Sequence, residues 1–252
     1  MTTSWNPAQY ERFAAPRLRP AADLLARIPP GPRRHIVDLG CGGGQVTRLL
    51  RERWPEAEIT GIDSSAAMLE RARGEIDASF VQADLTRWTP PPEVDLLVSN
   101  AALHWLDDHR ALLARWLDVL QPGCAVAVQM PRNHDAPSHR AMADAAEPWA
   151  ARLADVRTIR PVGSPADYAR LLALRMAHVD VWETSYIHVL TGADPVVEWT
   201  KGSGLRPYLD ALGEDGDGFV EAYRQLLRDA YPPEPDGTTL YPFRRVFVVG
   251  QK

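Results

Sequence analysis

The sequence predicts an α/β fold, a right-handed doubly wound sheet with helices around it. Three observations carry this prediction. Five short strand-like segments, at 36–39, 58–63, 79–85, 95–100 and 125–130, alternate with stretches of helical periodicity. The first three each end in an acid: Asp38, Asp63 and Asp84. The first also runs into a glycine-rich turn, Asp38-Leu39-Gly40-Cys41-Gly42-Gly43-Gly44, that opens the next helix.

Composition narrows the class. A chain of 252 residues is long enough for one large α/β domain with insertions. Apolar content of 45% and charged content of 24% are ordinary for a soluble protein. No apolar run approaches the ~20 residues of a membrane span. The polar N-terminus carries no signal-peptide core, and the two cysteines make neither a disulfide framework nor a metal site. A cytoplasmic protein with reduced thiols is expected. The net charge of −5 argues against a nucleic-acid partner, which usually needs a basic face.

Residues 1–20 are dense in aromatic and arginine side chains. They fit a lid that closes over a cofactor, with Tyr10 and Arg17 or Arg19 meeting a carboxylate or an adenosyl group. They fit equally a solvated leader packed by Trp5 and Phe13. A helix over 23–28 is closed off by Pro29-Pro30-Gly31-Pro32. Ile36, Val37 and Leu39 then suit a strand covered on both faces. Gly40, Gly42 and Gly44 allow positive φ and remove side chains, so a ligand can lie against backbone N–H groups at the helix N-terminus. The register is not that of a dinucleotide fingerprint, because Gln45 stands where the third glycine belongs. No Lys-Ser/Thr pair follows for a P-loop.

Val46, Leu49 and Leu50 define the next helix, stopped by Pro55. Asp63 lies nineteen residues after Gly44, near the distance at which α/β nucleotide folds place a ribose-binding carboxylate. A carboxylate can accept from two vicinal hydroxyls. A helix cap is the alternative for Asp63, and the glycine turn favours ribose. Ser64 or Ser65 is the expected N-cap, with Met68 and Leu69 on the helix face. Asp84 is placed to accept from an exocyclic adenine amine, with the Leu85 N–H beside it, or to make a turn. The fourth strand delivers Asn100 and then His104 and Trp105 to the carboxyl end of the sheet, where open parallel sheets bind ligands. His104 and Trp105 are expected to line a reaction pocket; His109 is not. Leu112, Leu113, Trp116, Leu117 and Leu120 make an amphipathic helix ended by Pro122-Gly123.

After Pro131 the pattern changes. One or two insertion helices are predicted over 131–165, capping the sheet. His134, Asp135 and His139 match no standard metal-ligand spacing and read as loop residues. A helix follows at 168–176, a β-rich segment at 179–189, helices at 194–200 and 216–231 separated by a connecting stretch at 201–208, and a final strand at 240–249.

The Asp-x-Gly-x-Gly-x-Gly spacing resembles motif I of the class I S-adenosylmethionine (SAM)-dependent methyltransferases, and three acids on successive strands extend that likeness. Longer stretches resemble the trans-aconitate 2-methyltransferase family: Trp5-Asn6-Pro7-Ala8-Gln9-Tyr10, Phe13-Ala14-Ala15-Pro16-Arg17, Ile62-Asp63-Ser64-Ser65, Asn100-Ala101-Ala102-Leu103-His104-Trp105-Leu106, Ala127-Val128-Gln129-Met130-Pro131 and Gly204-Leu205-Arg206-Pro207. The likeness covers nearly the whole chain. Gly43 stands where such motifs often carry proline, and 131–165 matches less closely.

The resemblance implies a Rossmann-like, mostly parallel seven-stranded sheet with an antiparallel C-terminal strand. It implies a single domain over 1–252, with a lid at 1–20 and helical caps at 131–165 and 194–235. It implies SAM as cofactor, held by Tyr10, Arg17, Asp38, Gly40, Gly42, Gly44, Asp63, Ser64, Met68, Asp84, Leu85 and Asn100, and S-adenosylhomocysteine as product. The implied reaction forms a monomethyl ester of trans-aconitate. A carboxylate of pKa ~4 is already ionised at neutral pH, so no acid–base catalyst is expected. The enzyme must desolvate one carboxylate oxygen and orient it. The remaining carboxylates call for cationic anchors: Arg206, Arg244 and Arg245, with Tyr241, His104, Trp105 and Lys201 behind them. Strand neighbours point to opposite faces, so at most one of Arg244 and Arg245 is expected in the pocket. No metal is implied. A methyltransferase acting on another small metabolite and a SAM-binding protein without turnover are the other readings.

Overall fold

In a computed structural model of the chain, the described residues are 18–154, 156, 161–201 and 204–252. Tyr10 and Arg17, with most of the lid expected over 1–20, lie outside them.

Seven strands form one sheet in the order β3-β2-β1-β4-β5-β7-β6. β1 (His35–Leu39), β2 (Glu58–Asp63), β3 (Ser79–Gln82), β4 (Leu96–Asn100) and β5 (Ala125–Pro131) are joined by parallel pairings. β7 (Thr239–Gln251) runs antiparallel to β5 and lies between it and β6 (His178–Leu190). β4 is buried from Leu96 to Ser99 and β5 from Ala125 to Met130, the continuous apolar runs of strands covered on both faces. From β1 the chain adds strands first to one side and then, from β4, to the other. The switch point therefore falls between β1 and β4, where such sheets open a crevice at their carboxyl ends.

Helix boundaries follow local chemistry. α1 (Arg19–Ala26) precedes β1, and α2 (Gln45–Arg53) ends at Trp54, just before Pro55. α3 (Ala66–Arg73) is capped by Ser65, whose hydroxyl accepts from the Met68 N–H at 3.4 Å. Of the two expected caps it is the second serine that serves. Asp108 caps α4 (His109–Val119) through the Ala111 N–H at 3.2 Å. α5 (Pro137–Ala146) and α6 (Ala150–Leu153) are the two insertion helices expected after β5. α7 (Pro165–Ala173) starts three residues before the predicted 168: Pro165 suits a first helical turn, and Ser164 with Asp167 forms a reciprocal capping box. α8 (Pro195–Lys201) and α10 (Gly216–Ala230) match expectation.

Besides α7 and α1, which starts four residues before the predicted 23, two elements differ. α9 (Arg206–Leu212) is a helix where a connecting stretch was expected; Leu205 and Leu212 are buried and give it an apolar side. β3 ends at Gln82, so Asp84 lies beyond its strand and not at its end.

The chain forms two compact units. The first comprises the described residues up to Pro131, with Gly163–Thr184 and Arg245–Lys252; the second comprises Arg132–Val162 and Ser185–Arg244. In the first, Trp116 is fully buried and its indole N–H donates to the Trp88 carbonyl at 3.1 Å, so its polar handle is satisfied. The second has its own core, in which Met142, Val197, Leu205, Phe219, Tyr223 and Tyr241 are buried together. Burying each such side chain is worth about 1.5–3 kcal/mol.

Candidate functional site

β1 carries Asp38 into the sheet, where its carboxylate is buried and accepts from the Thr47 hydroxyl of α2 at 2.7 Å. Burial pushes this carboxyl up to about 7, the Thr47 hydrogen bond opposes the shift, and the charge of Asp63 adds to it. The chain then leaves the sheet through three glycines at positive φ, each with a different reason. A Cβ on Gly40 would come within 2.2 Å of the Ala102 Cβ, so the ends of β1 and β4 meet with no room for a side chain. A Cβ on Gly44, the N-cap of α2, would strike Ile76 Cδ1 at 2.3 Å, so this glycine serves packing. A Cβ on Gly42 would meet nothing within 4 Å. Gly42 is the open side of the turn.

Asp63, half-buried at the end of β2, ties this turn to the next helix. Its Oδ2 accepts from the Gly42 N–H and its Oδ1 from the Ser65 N–H, both at 2.9 Å. The capping and ligand-binding readings of Asp63 are compatible, because a carboxylate has lone pairs left over after two bonds. Ser64 is exposed, and its carbonyl accepts from Gln82 Nε2 at 3.0 Å. Met68 is exposed in the first turn of α3. Asp84 is exposed, and its Oδ1 accepts from the Thr86 N–H at 2.9 Å and hydroxyl at 2.8 Å, the turn-forming geometry that was its alternative. Leu85 beside it is buried.

Across the switch point, Asn100 ends β4. Its Oδ1 is buried without a hydrogen-bond partner among the described residues. The next residue, Ala101, has φ 55°, the one positive φ outside glycine among the described residues. A short 3-10 turn, Leu103–Trp105, then presents His104 and Trp105 with ring centroids 5.0 Å apart. Trp105 is exposed. His104 is only 3% exposed; burial, then the nearby charges of Arg245 and His109, push its imidazole down to about 3. It is neutral at physiological pH, and its Nδ1 has no partner among the described residues. His109 Nε2 lies 2.7 Å from the Tyr168 hydroxyl.

Arg244 and Arg245 point apart. Arg245 is 7% exposed and donates to Gln129 Oε1 at 3.2 Å, whereas the Arg244 side chain is 31% exposed and pairs with Asp135. Gln129, read from the sequence only within the stretch 127–131 and with no role of its own, is one amide in an otherwise apolar strand.

The remaining anchor candidates belong to the second unit. Tyr241 corrects an expectation: it is fully buried, with its hydroxyl 3.2 Å from Ser138 Oγ and its ring among His188, Trp199, Tyr231 and Phe243. It is core, because Trp199 of α8 and Tyr231, just past the end of α10, close around it. Arg206 is exposed in the first turn of α9, ion-paired with Asp210 at 3.2 Å, and Lys201 pairs with Glu198 at 2.6 Å. At Asp135 burial raises the carboxyl, but the charge of Arg244, a backbone hydrogen bond and the charges of His134 and Arg132 together outweigh it, so it sits below the ordinary value. Burial pushes His139 down to about 4. Among the described residues no group of three or more His, Cys, Asp or Glu is arranged to hold a metal ion.

The crevice thus offers a buried acid whose ionisation is penalised, a carboxylate with spare lone pairs, an open glycine and an unsatisfied amide oxygen. These suit a ligand carrying vicinal hydroxyls and positive charge. The neighbouring cluster offers a buried guanidinium beside a neutral imidazole, which suits an anion.

Residues 36–123 match the family model described as a methyltransferase domain. A trans-aconitate 2-methyltransferase of Azoarcus sp. is 48% identical over 248 residues, 98% of each chain. One from Streptomyces coelicolor is 50% identical over 99% of this chain and 87% of its own. Among solved structures, the YcgJ protein of Bacillus subtilis aligns over 93% of this chain and 98% of its own, with a TM-score of 0.60 at 15% identity. Haemonchus contortus phosphoethanolamine N-methyltransferase 2, in complex with phosphomonomethylethanolamine and S-adenosylhomocysteine, aligns over 93% of this chain and 52% of its own, with a TM-score of 0.56 at 16% identity. At such identities the two structures speak to the fold alone.

Proposed function

The chain belongs to the trans-aconitate 2-methyltransferase family, and from that premise we propose how its own residues carry out the reaction. The enzyme is a SAM-dependent carboxyl O-methyltransferase that converts trans-aconitate to its monomethyl ester. SAM, when bound, supplies a sulfonium methyl group and leaves as S-adenosylhomocysteine.

Asp63 holds the ribose diol with the lone pairs that Gly42 and Ser65 leave free. Ser64 and Met68 flank it at the start of α3. Asp84 and the Leu85 N–H receive the adenine. Gly40 and Gly44 shape the turn, and Gly42 and Asn100 offer the surface to the ligand. Asp38 supports this reading: among the described residues no cation offsets the charge of this buried acid, and a cationic ligand relieves the cost of burying it. The proposed cofactor set also includes Tyr10 and Arg17, which lie outside the described residues.

On the substrate side, the attacking carboxylate needs no base. The observation that carries this reading is the buried Arg245 guanidinium, hydrogen-bonded to Gln129 Oε1, with the buried His104 near enough for that charge to help hold its imidazole neutral. His104, at about 3, does not exchange protons at neutral pH, so it shapes and dries the pocket and leaves charge recognition to the arginine. Trp105 covers the same pocket. Arg206 and Arg244 each have an acid partner, and we assign neither to the site. The proposed setting is cytoplasmic, with a small tricarboxylate as partner and neither nucleic acid nor metal. The net charge of −5 supports this for nucleic acid, and among the described residues no helix is long and apolar enough to cross a membrane.

The test is product mass from purified protein given labelled SAM with trans-aconitate, cis-aconitate, isocitrate and citrate in parallel. A methyl ester formed fastest from trans-aconitate is expected. Cofactor binding without label transfer to any of the four acids overturns the assignment.

A further inference from the structure

Three neighbouring strands of the first unit each deliver one polar side chain to the same face of the sheet near the carboxyl end of β5. Asn100 of β4 is the register partner of Gln129 of β5. Arg245 of β7 is the partner of Pro131, two residues on from Gln129, so it shares Gln129's face. Gln129 is fully buried and spends its Oε1 on the Arg245 guanidinium. Its Nε2, like His104 Nδ1, is buried without a hydrogen-bond partner among the described residues. Leaving a buried amide donor unpaired is costly, so native structures seldom keep one without a use. One belongs to the amide that holds the buried cation, and the other to an imidazole near enough to feel that cation's charge, so the two make a candidate set of donors.

We propose that Gln129, Arg245 and His104 form the receptor for a non-reacting carboxylate of the substrate, with Gln129 both orienting the guanidinium and donating directly from Nε2. This rests on the carboxyl-methylation reading above and adds to it a residue and a division of labour. The amide oxygen fixes the plane of the guanidinium. The guanidinium supplies charge and a two-pronged donor edge. The imidazole, in the tautomer with its proton on Nδ1, adds a donor with no second charge. The receptor therefore favours one ionised carboxylate over an ester or amide, whose neutral carbonyl forfeits the charge and the second equivalent oxygen. A monomethylated product that presents its ester to this receptor is released more readily than substrate.

The experiment is calorimetry of trans-aconitate binding to the full chain with S-adenosylhomocysteine present, alongside steady-state kinetics. Gln129→Glu places a carboxylate on the arginine in competition with the substrate's; a drop in trans-aconitate affinity of about a hundredfold is expected. Gln129→Met keeps the shape and removes the amide; loss of a hydrogen bond to a charged group predicts a drop of about tenfold, with KM rising more than kcat falls. His104→Gln, which retains a neutral donor, is expected to stay within about threefold of wild type where His104→Leu does not. S-adenosylhomocysteine affinity and the melting temperature report whether each variant is folded. Wild-type affinity for trans-aconitate in both folded Gln129 variants overturns the receptor while leaving the methyltransferase reading intact. Wild-type protein that binds S-adenosylhomocysteine but neither binds nor methylates trans-aconitate overturns both.

Discussion

The glycine turn after β1 and the C-terminal strand β7 both carry residues singled out for ligand binding, but different things constrain them. In the turn, the backbone decides. Positive φ at Gly40, Gly42 and Gly44 and the hydrogen bonds of Asp38 and Asp63 leave each residue type little freedom. Along β7, the fate of a side chain depends on what packs against it. Tyr241 is sealed in an aromatic core, Arg244 is taken by Asp135, and only Arg245 is drawn in against Gln129. A binding role is easier to read where the backbone itself makes the site than where tertiary packing chooses among similar side chains.

The contrast is sharpest within the turn. Gly40→Ala and Gly42→Ala make the same chemical change at two positive-φ sites. At Gly40 the new Cβ collides with Ala102, so about 3 kcal/mol of stability is expected to go, strain and clash together. At Gly42 the space is open and only the backbone strain of about 1 kcal/mol applies. There the methyl group instead fills volume assigned to the cofactor. Urea unfolding and SAM calorimetry on both variants should show the first mainly losing fold and the second mainly losing affinity.

Next in size is the arginine pair. Arg245→Leu is expected to raise the KM for trans-aconitate about a hundredfold, as loss of a buried charge-assisted contact would. Arg244→Leu removes a partly exposed ion pair and should move it less than about threefold. Equal effects would break the distinction drawn along β7.

A smaller effect separates Asp38 from ordinary carboxylates. Its carboxyl, raised from 3.8 to about 7, binds a proton more tightly folded than unfolded. Its contribution to stability is therefore full below about 4 and falls as pH rises through that window. Asp38→Asn should abolish this part of the slope, so melting temperatures measured at pH 5 and pH 8 should fall less across that interval in the variant than in the wild type. The smallest effect belongs to Arg206→Ala, where an exposed i,i+4 pair is lost and about 0.5 kcal/mol or less is expected in urea unfolding.

This contrast also explains what could be read in advance. The five parallel strands, the acids on β1 and β2 and the glycine turn were legible, because parallel strands demand apolar runs and a tight strand-to-helix turn demands glycine. The opposite fates of Arg244 and Arg245 followed from strand alternation, although which of them turns inward did not. Asp84 was half legible: its turn-forming ability was plain, but β3 stops at Gln82 before reaching it. Tyr241, α9 and Gln129 escaped. Whether a tyrosine lines a pocket or fills a core depends on partners far away in sequence, here Ser138 and Trp199. Gln129 sits in an apolar strand where only its partner Arg245, distant in the chain, shows why an amide is kept.

Ala101 has a consequence for how this enzyme can vary. With φ at 55°, the residue that follows β4 occupies a conformation open to glycine at no cost, to asparagine and aspartate at little, and to β-branched side chains only with severe strain. Its mutational neighbourhood is therefore lopsided. Ala101→Gly lies within easy reach, whereas Ala101→Val, one base change away in any alanine codon, is closed. A random-mutagenesis library selected for folded protein should be depleted of valine and threonine at this position and of little at the exposed positions nearby.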